Sequence, residues 1–164
     1  EYQGGGEAAT LEPLHEHLFE YKTHMMQNYG AGVQACYRGP RLYDTPETQA
    51  AVTEVIQWYK KYRDILNSDM IHLRRPDARD WDGFIHVNPH KKEKGLAMFF
   101  NPTHQEITRT IHIPLYYTGL TQTARIREKE QKPVTYKLNR DYTVELTVKI
   151  PANGYTWYVV EAAD

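Results

Sequence analysis

From Ile107 to Ile113 the chain alternates without a break, Ile107-Thr-Arg-Thr-Ile-His-Ile113, and a segment written with period two can bury one face only as a β-strand. Just upstream, Lys94-Gly-Leu-Ala-Met-Phe-Phe-Asn-Pro102 is an apolar run that ends in turn residues, and Asn101-Pro-Thr-His-Gln-Glu106 is a short link between the two. The pair therefore predicts two half-buried strands joined by a turn, opening an antiparallel sheet that continues to the C-terminus. Further strands are expected near 69–74, 83–88, 123–128, 133–138, 142–150 and 155–162, with Asn153-Gly154 the clearest tight-turn signal.

The first 68 residues have a different period. Leu11, Leu14, Leu18, Tyr21, Met25 and Tyr29 fall on helical spacing behind Thr10 as N-cap and Pro13 in the first turn, and Gly30 marks the end. A second, long helix is expected over 45–66. Thr45-Pro46-Glu47 supplies an N-cap, an N1 proline and an acidic first turn, and Val52, Val55, Ile56, Tyr59, Tyr62 and Leu66 form its apolar stripe. Between the helices, Gly32 to Tyr37 reads as a short strand buried on both faces, entering the loop Arg38-Gly-Pro-Arg-Leu-Tyr-Asp44. The expected architecture is α+β: a helical segment, residues 1–68, and an antiparallel β-sandwich of about eight strands, residues 69–164. Helix, buried strand and helix in that order is how the last units of a parallel β/α barrel look, and a lone parallel strand needs neighbours on both edges. The remainder of a barrel, or another chain packing on the helices, is therefore an expected partner.

Composition narrows the function classes. The net charge is −1, with Lys and Arg spread along the chain, which argues against nucleic acid and against an anionic membrane as partners. No stretch has the length and apolarity of a membrane span. The single Cys36 rules out an internal disulfide and, within Val33-Gln-Ala-Cys-Tyr37, reads as a small buried hydrophobe. Thirteen Tyr and three Trp against four Phe is a bias towards aromatics with a polar handle, and two readings stand: sugar-facing or interface surfaces, or the ordinary preference of sheets for these residues. No metal or cofactor is expected. His15 and His17 are two apart and cannot share an ion on a helix, and Asp77, Asp80, Asp82 and Gly83 lack the spacing and distal Glu of a calcium loop.

Gly32-Val-Gln-Ala-Cys-Tyr-Arg-Gly-Pro-Arg-Leu-Tyr-Asp44, Trp58-Tyr-Lys-Lys-Tyr-Arg-Asp-Ile-Leu66, Ile71-His-Leu-Arg-Arg-Pro-Asp77, His86-Val-Asn-Pro89, Lys94 to Pro102 and Pro114-Leu-Tyr-Tyr-Thr-Gly-Leu120 together resemble the C-terminal part of large bacterial glycoside-hydrolase-like proteins. These are of the α-galactosidase and α-amylase type, a catalytic β/α barrel followed by a β-sandwich. The resemblance implies that residues 11–29 and 45–66 are the last two barrel helices and Val33–Tyr37 the eighth strand. It also implies that the catalytic carboxylates lie on earlier strands, so that this chain holds no catalytic residue of its own and is an inactive fragment with an accessory sandwich. Oligo- or polysaccharide is the implied ligand, and a periplasmic or secreted setting is the expectation. The alternative is a self-standing carbohydrate-binding or protein-interaction module.

A barrel places the loop after its eighth strand on the face where substrates bind. Arg38, Arg41 and Asp44 are thus candidates to hydrogen-bond sugar hydroxyls, with Tyr37 as a stacking wall. A structural Arg–Asp contact bracing the Gly-Pro turn accounts for the same residues.

Overall fold

The computed structural model describes residues 11–34 and 39–163. The chain divides into two compact units, one ending at Arg63 and the other beginning at Asp64. Two helices are followed by eight antiparallel strands, the α+β order expected.

In the first unit, a 3₁₀ turn, Leu14–His17, leads into α1, Leu18–Gly30. A regular helix from residue 11 was expected. Instead the His15 backbone N–H is committed to Asp44 and Glu16 N–H closes a tight bond on the Pro13 carbonyl, 3.1 Å, so the chain enters through an i→i+3 turn. α1 ends as Ala31 N–H and Val33 N–H return to the Asn28 carbonyl, with Gly32 in the left-handed region at φ 74°. Val33 is half exposed and Gln34 lies in no strand, while Ala35 to Tyr37, the rest of the expected strand, lie outside the described residues.

The second helix, α2, spans Pro46–Leu66. Its start is as written in the sequence, because Thr48 N–H donates to the Thr45 hydroxyl while Thr45 N–H donates to the Thr48 hydroxyl, a reciprocal cap in which a threonine replaces the usual acid. The apolar stripes of the two helices meet. Tyr29 and Tyr59 rings lie 5.1 Å apart, and Lys22 reaches Glu54 at 2.8 Å.

The second unit is a sandwich of two sheets. Six strands run in the order β1 (Asp69–Arg74), β2 (Asp82–Val87), β3 (Glu93–Phe100), β8 (Tyr155–Glu161), β5 (Thr123–Glu128) and β6 (Val134–Lys137); β4 (Ile107–Pro114) pairs with β7 (Thr143–Ile150) in the other sheet. Ile85, Val87, Ala97, Phe99, Ala124, Ile126, Tyr158 and Val160 from the first sheet meet Ile111, Ile113, Val144, Leu146, Val148 and Ile150 from the second, and this is the core. β7 shows the period-two logic best, with Val144, Leu146, Val148 and Ile150 buried and Glu145, Thr147 and Lys149 exposed between them.

The expected joining of β3 and β4 in one sheet fails, because their connection is an arch that carries the chain from one sheet to the other; the tight turn expected at Asn153-Gly154 is present, Gly154 N–H bonding the Pro151 carbonyl at 3.1 Å, and it too lies in an arch, between β7 and β8. β3 is also buried along Gly95–Phe100 rather than on one face, since it lies between β2 and β8 and is apolar at every position from Leu96 to Phe100. The two arches are stitched together. Asn101 is 2% exposed; its amide donates to the carbonyls of Gln105, Ile150 and Pro151 at 2.7, 3.2 and 3.0 Å, and its carbonyl accepts the Thr103 N–H and hydroxyl.

Candidate functional site

The loop before α2 is where the sequence placed sugar contacts, and there Arg41, the Leu42 carbonyl and Asp44 are tied down. Asp44 accepts the His15 ring nitrogen at 2.8 Å and the His15 backbone N–H at 3.1 Å on one oxygen, and the Thr48 hydroxyl at 3.0 Å on the other. Its side chain is only 8% exposed. Burial alone would raise the Asp44 carboxyl, but the hydrogen bonds from His15 and Thr48 outweigh it and bring it down to about 2, while the bond to Asp44 raises the His15 imidazole. Arg41 turns the other way, its Nε donating to Glu12 at 3.2 Å, and Tyr21 donates its hydroxyl to the Leu42 carbonyl at 2.9 Å. The loop is therefore braced from three points of the 12–21 segment. Arg41 remains half exposed, and Leu42 and Tyr43 are exposed beside it. Tyr37 and Arg38 lie outside the described residues.

Sequence reasoning did not find the partners of this loop. Asp44 and His15 are 29 positions apart, and nothing in the local pattern at either end signals the other. Arg74 and Asp77 close the loop between β1 and β2: Arg74 meets Asp77 at 2.8 Å and donates to the Trp81 carbonyl at 2.6 Å. Asp77 also accepts Arg79 and Asp80 N–H groups, and the Arg74 bond above all holds its carboxyl well below the usual range. Asp80 lies 3.2 Å from Arg109 on β4. Asp77 and Asp80 thus have protein cations as their partners, and no group of three or more His, Cys, Asp or Glu close enough to hold a metal ion occurs among the described residues.

A second feature, not foreseen, is an open cleft of about 700 Å³ within the second unit, lined by Asp64, Asn67, Ser68, Asp69, Val87, Asn88, Pro89, His90 and Lys91. Its floor is fixed, because the Asn88 amide donates to the Ser68 hydroxyl at 3.0 Å and that hydroxyl donates to the Asp64 carbonyl at 2.9 Å. Its rim, with Lys94 clamped onto the Pro89 carbonyl at 2.7 Å, is the turn of the β2–β3 hairpin. Carboxylates, amides and an imidazole around an apolar floor of Val87 and Pro89 can hydrogen-bond a polyhydroxylated ligand.

No family model matches the chain, and no curated protein matches it. Solved structures do. A Bacillus halodurans protein assigned as an α-N-acetylgalactosaminidase matches at TM-score 0.57 and 13% identity, over 87% of this chain and 31% of that one. The α-galactosidase I of Mortierella vinacea matches at TM-score 0.57 and 14% identity, over 87% of this chain and 35% of that one. The α-amylase of Geobacillus thermoleovorans complexed with acarbose matches at TM-score 0.50 and 14% identity, over 76% of this chain and 26% of that one. At such identities the likeness is one of fold: helices followed by a β-sandwich, as found in glycoside hydrolases. This chain spans about a third of the length of the first two.

Proposed function

We propose that this chain is the C-terminal part of a glycoside hydrolase, with α1 and α2 completing a catalytic β/α barrel and the sandwich packing on it as an accessory domain. The observation that carries the reading is the fold match over 87% of this chain to two enzymes of which it spans about a third. In this reading the missing barrel packs on the helices, and the exposed Phe19, Val33 and Leu42 of the first unit are surfaces it covers. The catalytic acid and base belong to that barrel, so the chain by itself turns over no glycoside.

In the same reading Arg41 and Arg38 donate to sugar hydroxyls, with Tyr37 as a stacking wall, and Asp44, its oxygens taken up by His15 and Thr48, acts by holding the loop's shape. The test pairs two measurements on the natural source protein and the purified chain: the intact mass of the natural polypeptide, and hydrolysis of aryl α-galactosides and α-glucosides by each. The expected result is a much longer natural polypeptide that hydrolyses one of these substrates beside an inactive purified chain. Turnover by the purified chain, or a natural polypeptide of this length, would overturn the proposal.

A further inference from the structure

Tyr116 and Tyr117 are the most exposed aromatic side chains among the described residues, at 60% and 63%. They are not loosely held. Both sit on a 3₁₀ turn, Tyr116–Thr118, that follows β4, and Tyr116 stands edge-on to Tyr117 at 5.1 Å and to Tyr142 at 5.3 Å. Tyr142 packs against the sandwich core, so the three rings form an edge-to-face stack with one end anchored and the other in solvent.

The backbone beneath the stack is over-determined. The buried Thr118 donates its hydroxyl to the Leu115 carbonyl, Gly119 N–H closes on the Tyr116 carbonyl at 3.2 Å, and Leu115 N–H donates to the Tyr142 carbonyl at 2.9 Å. Gly119 has φ 77° and packs on Pro89, where an added Cβ would lie 3.1 Å from the Pro89 Cβ, so no other residue fits the turn without strain. Tyr142 itself is held at φ 62°, a left-handed conformation that an aromatic residue rarely adopts. Strain kept in a non-glycine residue whose ring supports two exposed rings is an arrangement in which rigidity serves a surface. Pro89 also lines the polar cleft described above, so the tyrosine turn and a wall of hydrogen-bonding groups share one support.

We infer that Tyr116 and Tyr117, backed by Tyr142, form a secondary binding platform for an oligo- or polysaccharide. Preset rings bind without losing rotamer freedom, and with Tyr116 and Tyr117 at 88° to each other a single tyrosine face packs on the C–H face of a pyranose while the neighbouring ring closes one side. The charges nearby are balanced in sign: His112 meets Glu145 at 3.4 Å, and Asp141, which accepts the Thr143 hydroxyl at 2.7 Å and N–H at 3.2 Å, is next in sequence to the exposed Arg140. A platform without surplus positive charge fits a neutral polymer and not a phosphate chain, which needs cations along its track. The choice of a sugar polymer as occupant rests on the function proposed above, whereas the platform stands on its own geometry.

The experiment is affinity electrophoresis of the chain through gels containing starch, galactomannan, xylan or mixed-linkage β-glucan, beside Tyr116→Ala/Tyr117→Ala and Tyr116→Phe/Tyr117→Phe, with single-stranded oligothymidylate binding measured in parallel. The expected result is retardation by at least one polysaccharide, weakened about tenfold or more in the alanine double variant and within about threefold of the parent in the phenylalanine one. Both substitutions lie on exposed side chains, and an unchanged circular dichroism spectrum checks that the fold is kept. No retardation by any of the four polymers, retardation untouched by the alanine change, or tyrosine-dependent binding of the oligothymidylate in their place would overturn the inference. A tyrosine-dependent result with a natural polypeptide that hydrolyses no glycoside would remove only the enzyme reading; an active natural enzyme whose sandwich is not retarded would remove only the platform.

Discussion

Asn101 shows how much one side chain can carry when it sits where two chain crossings meet. Its amide is the donor for carbonyls 49 and 50 positions away, on Ile150 and Pro151, and of the two only Pro151 also accepts a turn N–H, that of Gly154 at 3.1 Å. Asn101→Ala leaves the buried Ile150 carbonyl without that donor, and the expected cost is roughly 2 kcal/mol, read as a lower denaturant midpoint with an unchanged slope. A change of less than about 0.5 kcal/mol would mean that water takes over the role. The His15–Asp44 pair makes a prediction of a different kind. The His15 imidazole is raised from its ordinary 6.5, so its contribution is complete below pH 6.5 and is lost as pH climbs through the raised value. Asp44 is lowered from 3.8 to about 2, so its contribution is present above pH 3.8 and is lost as pH falls towards 2. The pair therefore supports the first unit most between pH 3.8 and 6.5. Helical circular dichroism during urea unfolding at pH 5.5 and pH 8.5 should show a fall in midpoint for the parent that His15→Gln lacks. The same fall in both would assign the pH dependence elsewhere.

At the level of elements, the eight strands were legible because each carries its own alternation or apolar run, which is a local property. The partners of each strand were not, since nothing in a period-two pattern says which sheet the next strand joins. The Asn101–Glu106 link and the Asn153-Gly154 turn both read as turns, and both are turns, but each lies in an arch whose course is set by the core residues Ile111, Val148 and Tyr158 brought together from distant positions. The same limit applied to the candidate site: Arg41 and Asp44 were visible as charged loop residues, but Glu12 and His15 became their partners only through the folding of the first unit. Glycine is a case in which the element decides. On β2, a Cβ at Gly83 would run into the Met98 carbonyl of β3, a backbone atom that cannot step aside without breaking the ladder. At Gly95 on β3 the nearest atoms are side chains, Val160 and Ile85, at 3.2 and 3.3 Å. Gly83→Ala should therefore destabilise by about 2 kcal/mol, and Gly95→Ala by no more than about 1, in parallel chemical denaturations. Equal losses would show that the β2–β3 approach is looser than it is drawn.

For the molecule as a whole, the division into two units and the topology of the sandwich determine where the structure opens. β8 lies between β3 and β5 and is buried from Thr156 to Glu161, with Glu161 held by Arg125 and Arg127 at 3.3 and 3.1 Å. β6 is the edge of the same sheet, short, and exposed at Val134, Thr135 and Lys137. Amides in the middle of a sheet exchange with solvent only when much of the structure opens, whereas an edge strand frays alone. Native-state hydrogen exchange should therefore rank β8 and β3 slowest and β6 fastest within the sandwich. Reversal of β8 and β6 would contradict the strand order itself. The core joins strands far apart in sequence, so refolding of this unit should be slow for its size, in milliseconds to seconds, and the late-forming protection should be that of β4 and β7, whose closure over the six-stranded sheet buries the core. Pulse-labelled exchange during refolding measures that order, and protection of β4 and β7 ahead of β3 and β8 would mean that the smaller sheet, not the larger, organises the sandwich.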